Sequence, residues 1–99
     1  MTKGSKGFSI ARMLVIEDSP VMRRFIEISM RTQDVTVDGA GKGREGIEEA
    51  IANPPDLILL DLGLPDVDGW EVLDELRSHD ATVDVPVLVS SGWEGEEIS

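Results

Sequence analysis

No cysteine occurs among the 99 residues, so disulfides and thiolate metal sites are excluded outright. Base is scarce: nine Lys and Arg face twenty Asp and Glu, a formal charge of -11. Phosphate contacts need a basic face, so direct nucleic-acid binding is not expected. Most of the acid reads as a solvated surface that maintains solubility. No purely apolar run exceeds a handful of residues, so no membrane-spanning helix is expected. The amino terminus carries Lys3 and Lys6 with no apolar stretch behind them, which is not the pattern of a secretory signal. Residues 1–12 are read as a flexible leader and 13–99 as one domain, with the cytoplasm as the expected compartment.

What is present is an alternation of short apolar runs and helical patterns. Met13-Leu14-Val15-Ile16 has the continuity of a strand buried on both faces and stops at Glu17-Asp18. Ser19 is a good N-cap and Pro20 suits the first helical position. Val21, Phe25 and Ile28 follow at helical spacing, which predicts a helix over about Pro20 to Arg31. Val35 to Ala40 is a weaker strand candidate. Gly43 opens a second helix with Ile47, Ala50 and Ile51 on its apolar face, ended by Asn53-Pro54-Pro55. Leu57-Ile58-Leu59-Leu60 is the clearest buried strand and stops at Asp61. Trp70, Leu73 and Leu76 mark a third helix ending near His79, with Trp70 and Trp93 read as packing residues. Val85 to Val89 is a fourth strand, closed by Ser90-Ser91-Gly92. His79 is assigned no chemistry.

Such alternation predicts an α/β fold with a parallel sheet and helices on both faces. Ligand sites in these sheets lie at the carboxyl ends of the strands. Three strand ends there deliver Glu17-Asp18, Asp61 and Ser90-Ser91 to one edge. Two carboxylates about 5 Å apart repel by roughly 3 kcal/mol at an effective dielectric of about 20, so the group takes up a proton or a divalent cation. An all-oxygen set suits Mg²⁺. Asp61, on the most apolar strand, is the nucleophile candidate, and an aspartyl phosphate is an established covalent intermediate.

Two other motifs point elsewhere and fail on their context. Gly41-Lys42-Gly43-Arg44-Glu45-Gly46 matches the dinucleotide fingerprint G-x-G-x-x-G. The strand before it is short and carries Asp38, and the chain is too short for two mononucleotide halves. Asp66-x-Asp68-Gly69 is no EF-hand loop, because its sixth position is Glu71 and its twelfth is Arg77.

The run Leu14-Val15-Ile16-Glu17-Asp18-Ser19-Pro20-Val21-Met22-Arg23-Arg24 resembles the first strand and helix of two-component response-regulator receivers. The segment from Asp56 through Asp61 and Pro65 to Asp68-Gly69 resembles their phosphoacceptor region, and Pro86 to Gly92 their switch strand. The resemblance covers about residues 13 to 92. It implies a flavodoxin-like doubly wound sheet of order 2-1-3-4, with the fifth strand and last helix of the complete fold missing. It further implies phosphorylation of Asp61 by a sensor histidine kinase or phosphotransfer protein, and a signalling module rather than an enzyme. By position, Asp18 and Asp61 bind Mg²⁺, Glu17 acts through a metal-bound water, the Gly63 carbonyl adds a backbone ligand, and Ser91 is the switch hydroxyl. Haloacid-dehalogenase phosphatases also use a strand-end Asp, but Leu62-Gly63 breaks their Asp-x-Asp pattern.

The chain departs from the family in its lysines. Lys3, Lys6 and Lys42 all stand too early to be the family's phosphoryl-pairing lysine. Slow phosphotransfer by the 99-residue form follows, and the alternative is a receiver-like interaction module that works without phosphorylation. Self-association through an exposed fourth strand is also expected.

Overall fold

The computed structural model describes residues 10–90. Strands and helices alternate as β1 (Arg12–Ile16), α1 (Pro20–Ser29), β2 (Thr36–Ala40), α2 (Gly43–Ala52), β3 (Leu57–Asp61), α3 (Gly69–Arg77) and β4 (Val87–Ser90), with one 3-10 turn, Arg31–Gln33, after α1. The four strands form one parallel sheet in the order β2-β1-β3-β4. This is the expected flavodoxin-like arrangement.

The two strands with uninterrupted apolar sequence occupy the centre, because only a central strand is covered on both faces. Leu14, Val15, Ile16, Ile58 and Leu60 are fully buried. Alternation along each strand divides these residues between two layers. Leu14, Ile16, Ile58 and Leu60 pack with Ile47 and Ala50 of α2 and with Val72 and Leu76 of α3. Met13, Val15 and Leu57 face the other way, against Ile26 of α1 and Met30 just after it. Gly46 lets α2 approach the sheet closely: a Cβ there would lie 2.6 Å from the Ile16 side chain.

Polar side chains secure the edges. Arg12 reaches across from β1 to Asp38 of β2 (2.7 Å), to Glu49 of α2 (2.9 Å) and to the Asn53 carbonyl. That pairing explains the acid inside β2, an edge strand with water on one side. The loop into β4 is gathered by Arg77, whose Nη1 donates to the carbonyls of Thr82, Val83 and Val85. Buried Thr82 donates to the Leu76 carbonyl at 2.6 Å.

Several sequence expectations need correction. β1 opens on Arg12, so the leader does not run through residue 12. The Asp56 carboxylate accepts from the Ala11 and Arg12 amides, both at 2.9 Å, and ties this point down. β2 begins at Thr36 rather than Val35. α1 ends at Ser29, two residues early, where the chain tightens into the 3-10 turn and Asp34 takes a left-handed φ of 60°. α3 ends at Arg77 rather than near His79, with Ser78 as its C-cap. β4 is Val87–Ser90, because the Val85 amide is already committed to the Thr82 carbonyl and Pro86 has no amide to donate. Val21, Phe25 and Ile28 mark the helix correctly but stand on its exposed side, at 79%, 64% and 48% exposure. Trp70 is likewise more than half exposed and is not a packing residue, the buried positions of α3 being Gly69, Val72 and Leu76. Trp93 lies outside the described residues.

Candidate functional site

β1 and β3 run side by side and in the same direction, Ile16 opposite Leu60. Each apolar run therefore releases its first acids at the same edge: Glu17 and Asp18 from β1, Asp61 from β3. One carboxylate oxygen of each of Glu17, Asp18 and Asp61 lies within 4.8 Å of the others. Asp61 is 5% exposed. Its Oδ1 accepts from the Gly63 amide at 3.0 Å, which fixes how the carboxylate is turned. Ser90 sits opposite Asp61 in β4, and its carbonyl accepts from the Leu62 amide at 3.0 Å.

Glu17 is held on three sides. Its amide donates to the Ala40 carbonyl at 2.9 Å, its Oε2 accepts from the Ser19 amide at 3.0 Å, and its carbonyl accepts from Arg23 Nη1 at 2.6 Å. Ser19 in turn caps α1 by accepting from the Met22 amide at 3.2 Å. Burial pushes the Glu17 carboxyl above its usual pKa, opposed by the Ser19 amide and reinforced by the negative charges of Asp61 and Asp18. Among the described residues no basic side chain forms an ion pair with any of the three. A cluster of hard oxygen donors without a cationic partner fits Mg²⁺, which takes carboxylates and keeps several waters.

The loop from Leu62 to Asp68 is pinned by two acids whose partners the sequence did not reveal. Asp66 accepts from the Gly43 and Arg44 amides at the start of α2, at 2.8 and 3.1 Å. These two amides hold its carboxyl below the usual range. They are also the donors a dinucleotide phosphate would need, so the glycine-rich segment is a helix start satisfied by the chain itself. Asp68 caps α3 by accepting from the Trp70 amide at 3.0 Å. The cap of Asp68 is a local contact, whereas the partners of Asp66 stand 22 and 23 residues away. Ser91, the expected switch hydroxyl, lies outside the described residues.

A doubly wound parallel sheet with a carboxylate cluster at the carboxyl ends of its central strands defines a class of small α/β switch domains. The model of the response regulator receiver domain matches residues 13–98, and the chain belongs to this family. It is similar to the KDP operon transcriptional regulatory protein KdpE of Escherichia coli (strain K12), 40% identical over 82 residues that cover 83% of this chain and 35% of that protein. It is also similar to the response regulator ArlR of Staphylococcus saprophyticus, 35% identical over 81% of this chain and 35% of that protein. The chain thus spans about a third of the length of these curated relatives. Among solved structures, the N-terminal domain of a response regulator receiver protein from Methanoculleus marisnigri JR1 matches with a TM-score of 0.76 and 36% identity, over 82% of this chain and 66% of that one. The receiver domain of the sensor histidine kinase PA1611 from Pseudomonas aeruginosa PAO1, crystallised with a magnesium ion coordinated in the active-site cleft, matches with a TM-score of 0.76 and 28% identity, over 82% of this chain and 66% of that one.

No helix among the described residues is long and apolar enough to cross a membrane.

Proposed function

We propose that this receiver domain takes a phosphoryl group on Asp61 from a phosphohistidine of a sensor kinase or phosphotransfer protein. The observation that carries the reading is a buried carboxylate, turned by the Gly63 amide, beside Glu17 and Asp18 and without a basic partner among the described residues. An Asp61 oxygen supplies the electron pair that forms the new P–O bond, the P–N bond breaks, and the imidazole leaves with its pair. The product is an acyl phosphate on Asp61. Glu17, Asp18, Asp61 and the Gly63 carbonyl would hold Mg²⁺, which when bound offsets the negative charge of the carboxylates and of the arriving phosphoryl group. Ser91 is the proposed hydroxyl that answers the phosphoryl oxygens. Burial of Asp61 excludes bulk water from one side of the acyl phosphate and slows its hydrolysis.

The first prediction tests this directly. With Mg²⁺ and acetyl phosphate, the chain gains one phosphoryl group that hydroxylamine removes and that Asp61→Asn abolishes, as intact-mass spectrometry will show. Equal labelling of the Asn variant refutes Asp61 as the acceptor. No labelling of the parent, with kinase binding retained, favours an interaction module that works without phosphorylation.

A further inference from the structure

We propose that Arg23 is a positioning residue for the acidic site, acting through the backbone of Glu17; this rests on reading Glu17, Asp18 and Asp61 as the Mg²⁺ and phosphoryl site. Arg23 leaves the first turn of α1 and extends across the end of β2. Its Nη1 donates to the Glu17 carbonyl at 2.6 Å. That oxygen belongs to the peptide plane joining Glu17 to Asp18, so fixing it sets the direction from which the exposed Asp18 carboxylate enters the cluster. The preceding peptide is already fixed, because the Glu17 amide donates to Ala40. With the carbonyl free, the Glu17–Asp18 plane can turn. With it held, both acids leave the strand in one arrangement.

Two glycines clear the path of the arginine. A Cβ on Gly39 would lie 2.9 Å from Arg23 Cδ and 3.4 Å from its Nε, and a Cβ on Gly41 would lie 3.0 Å from its Nη1. β2 is therefore bare on the strip where the arginine lies. Among the described residues Arg23 forms no ion pair, and its guanidinium donates to the Glu17 carbonyl instead. A cleft of about 220 Å³ beside it, lined by Val15, Pro20, Arg24, Glu27, Val37 and Gly39, offers room for the side chain to swing aside. Displacing Arg23 thus disturbs the site far more than the core.

The experiment uses the 99-residue chain, with Mg²⁺ titrated alone against amide NMR shifts and with ¹⁵N relaxation of the Asp18 amide, which lies in the peptide plane that Arg23 holds, as an independent readout. Arg23→Met keeps the apolar stem and loses the donors. It should weaken Mg²⁺ binding about tenfold, as is usual when a group supporting metal ligands is removed, and raise the mobility of the Asp18 amide. Gly39→Ala should do the same by displacing Arg23, and in the Arg23→Met background should add nothing further, because there is no longer a guanidinium to displace. Arg23→Lys, which keeps one donor, should restore part of the affinity. Mg²⁺ affinity within twofold of the parent in Arg23→Met, or strictly additive effects of Arg23→Met and Gly39→Ala, would overturn the proposal. If the parent itself binds no Mg²⁺, the metal reading has failed. Mobility of the Asp18 amide then decides for or against Arg23 by itself, with an increase in both single variants supporting it and no change overturning it.

Discussion

At the scale of single residues, the site places Glu17 against its own preference. An acid whose folded pKa is raised binds its proton more tightly folded than unfolded, so stability falls as pH rises through the interval between its unfolded and folded values. Glu17 is in this position, chiefly through burial. The second prediction follows: without metal, Glu17→Gln melts higher than the parent above that interval, and Mg²⁺ raises the melting temperature of the variant less than that of the parent. Thermal scans with and without Mg²⁺ across the acidic to neutral range check both parts, and a variant that is less stable at neutral pH refutes the sign. Asp66 has the opposite sign. Its lowered pKa means that the hydrogen bonds donated by the two amides stabilise the fold above the ordinary carboxylate range, and that this stabilisation is lost as pH falls through the folded value. The third prediction is that Asp66→Asn is less stable than the parent at neutral pH, and that the gap closes on acidification. A gap that persists at the acid end would show that charge is not what Asp66 contributes.

At the scale of elements, the placement of α2 depends on one missing side chain. Replacing Gly46 by Ala gains about 1 kcal/mol of helix propensity, but the added Cβ would lie 2.6–2.9 Å from three atoms of the fully buried Ile16. Overpacking of that kind costs about 1–3 kcal/mol, so the core term wins. The fourth prediction is a net loss of about 1 kcal/mol in Gly46→Ala by urea unfolding, and a gain would mean that α2 can lift off the sheet cheaply. The Asp68-Gly69 pair has a similar account. Asp68 supplies the cap of α3, while a Cβ on Gly69 would fall 2.6 Å from the Leu62 backbone, one residue beyond the phosphoacceptor candidate.

At the scale of the whole molecule, the two faces of the sheet are covered unequally. α2 and α3 cover one face, and α1 alone lies on the other among the described residues. Apolar side chains remain open on α1 (Val21, Met22, Phe25, Ile28) and on β4, where Leu88 is 57% and Val89 40% exposed. Apolar surface of this kind tends to be covered by another chain when its own leaves it open. The fifth prediction is that the 99-residue chain self-associates, and that Phe25→Asp with Leu88→Asp shifts it toward monomer. Light scattering over a range of concentrations is the measurement, and a concentration-independent monomer for the parent refutes it.

Much of this was already legible in the order of residues. Continuous apolar runs ending in acids determined that β1 and β3 are central strands, because only burial on both faces tolerates such runs. Parallel neighbours in turn determined that Glu17, Asp18 and Asp61 share an edge. Ser19-Pro20 marked the start of α1, since its cap is local. Contacts far apart in sequence were decided only in three dimensions. The partners of Arg12, Asp56 and Asp66 lie more than twenty residues away, and spacing carries no signal of them. The helical period identified α1 but not its buried face, because Val21, Phe25 and Ile28 are as apolar as Ile26 and Met30. Which set meets the sheet follows from how α1 crosses between β1 and β2. That Arg23 reaches the Glu17 carbonyl was likewise settled by the tertiary structure, which brings an arginine of α1 over Gly39 of β2 and Gly41 just beyond it.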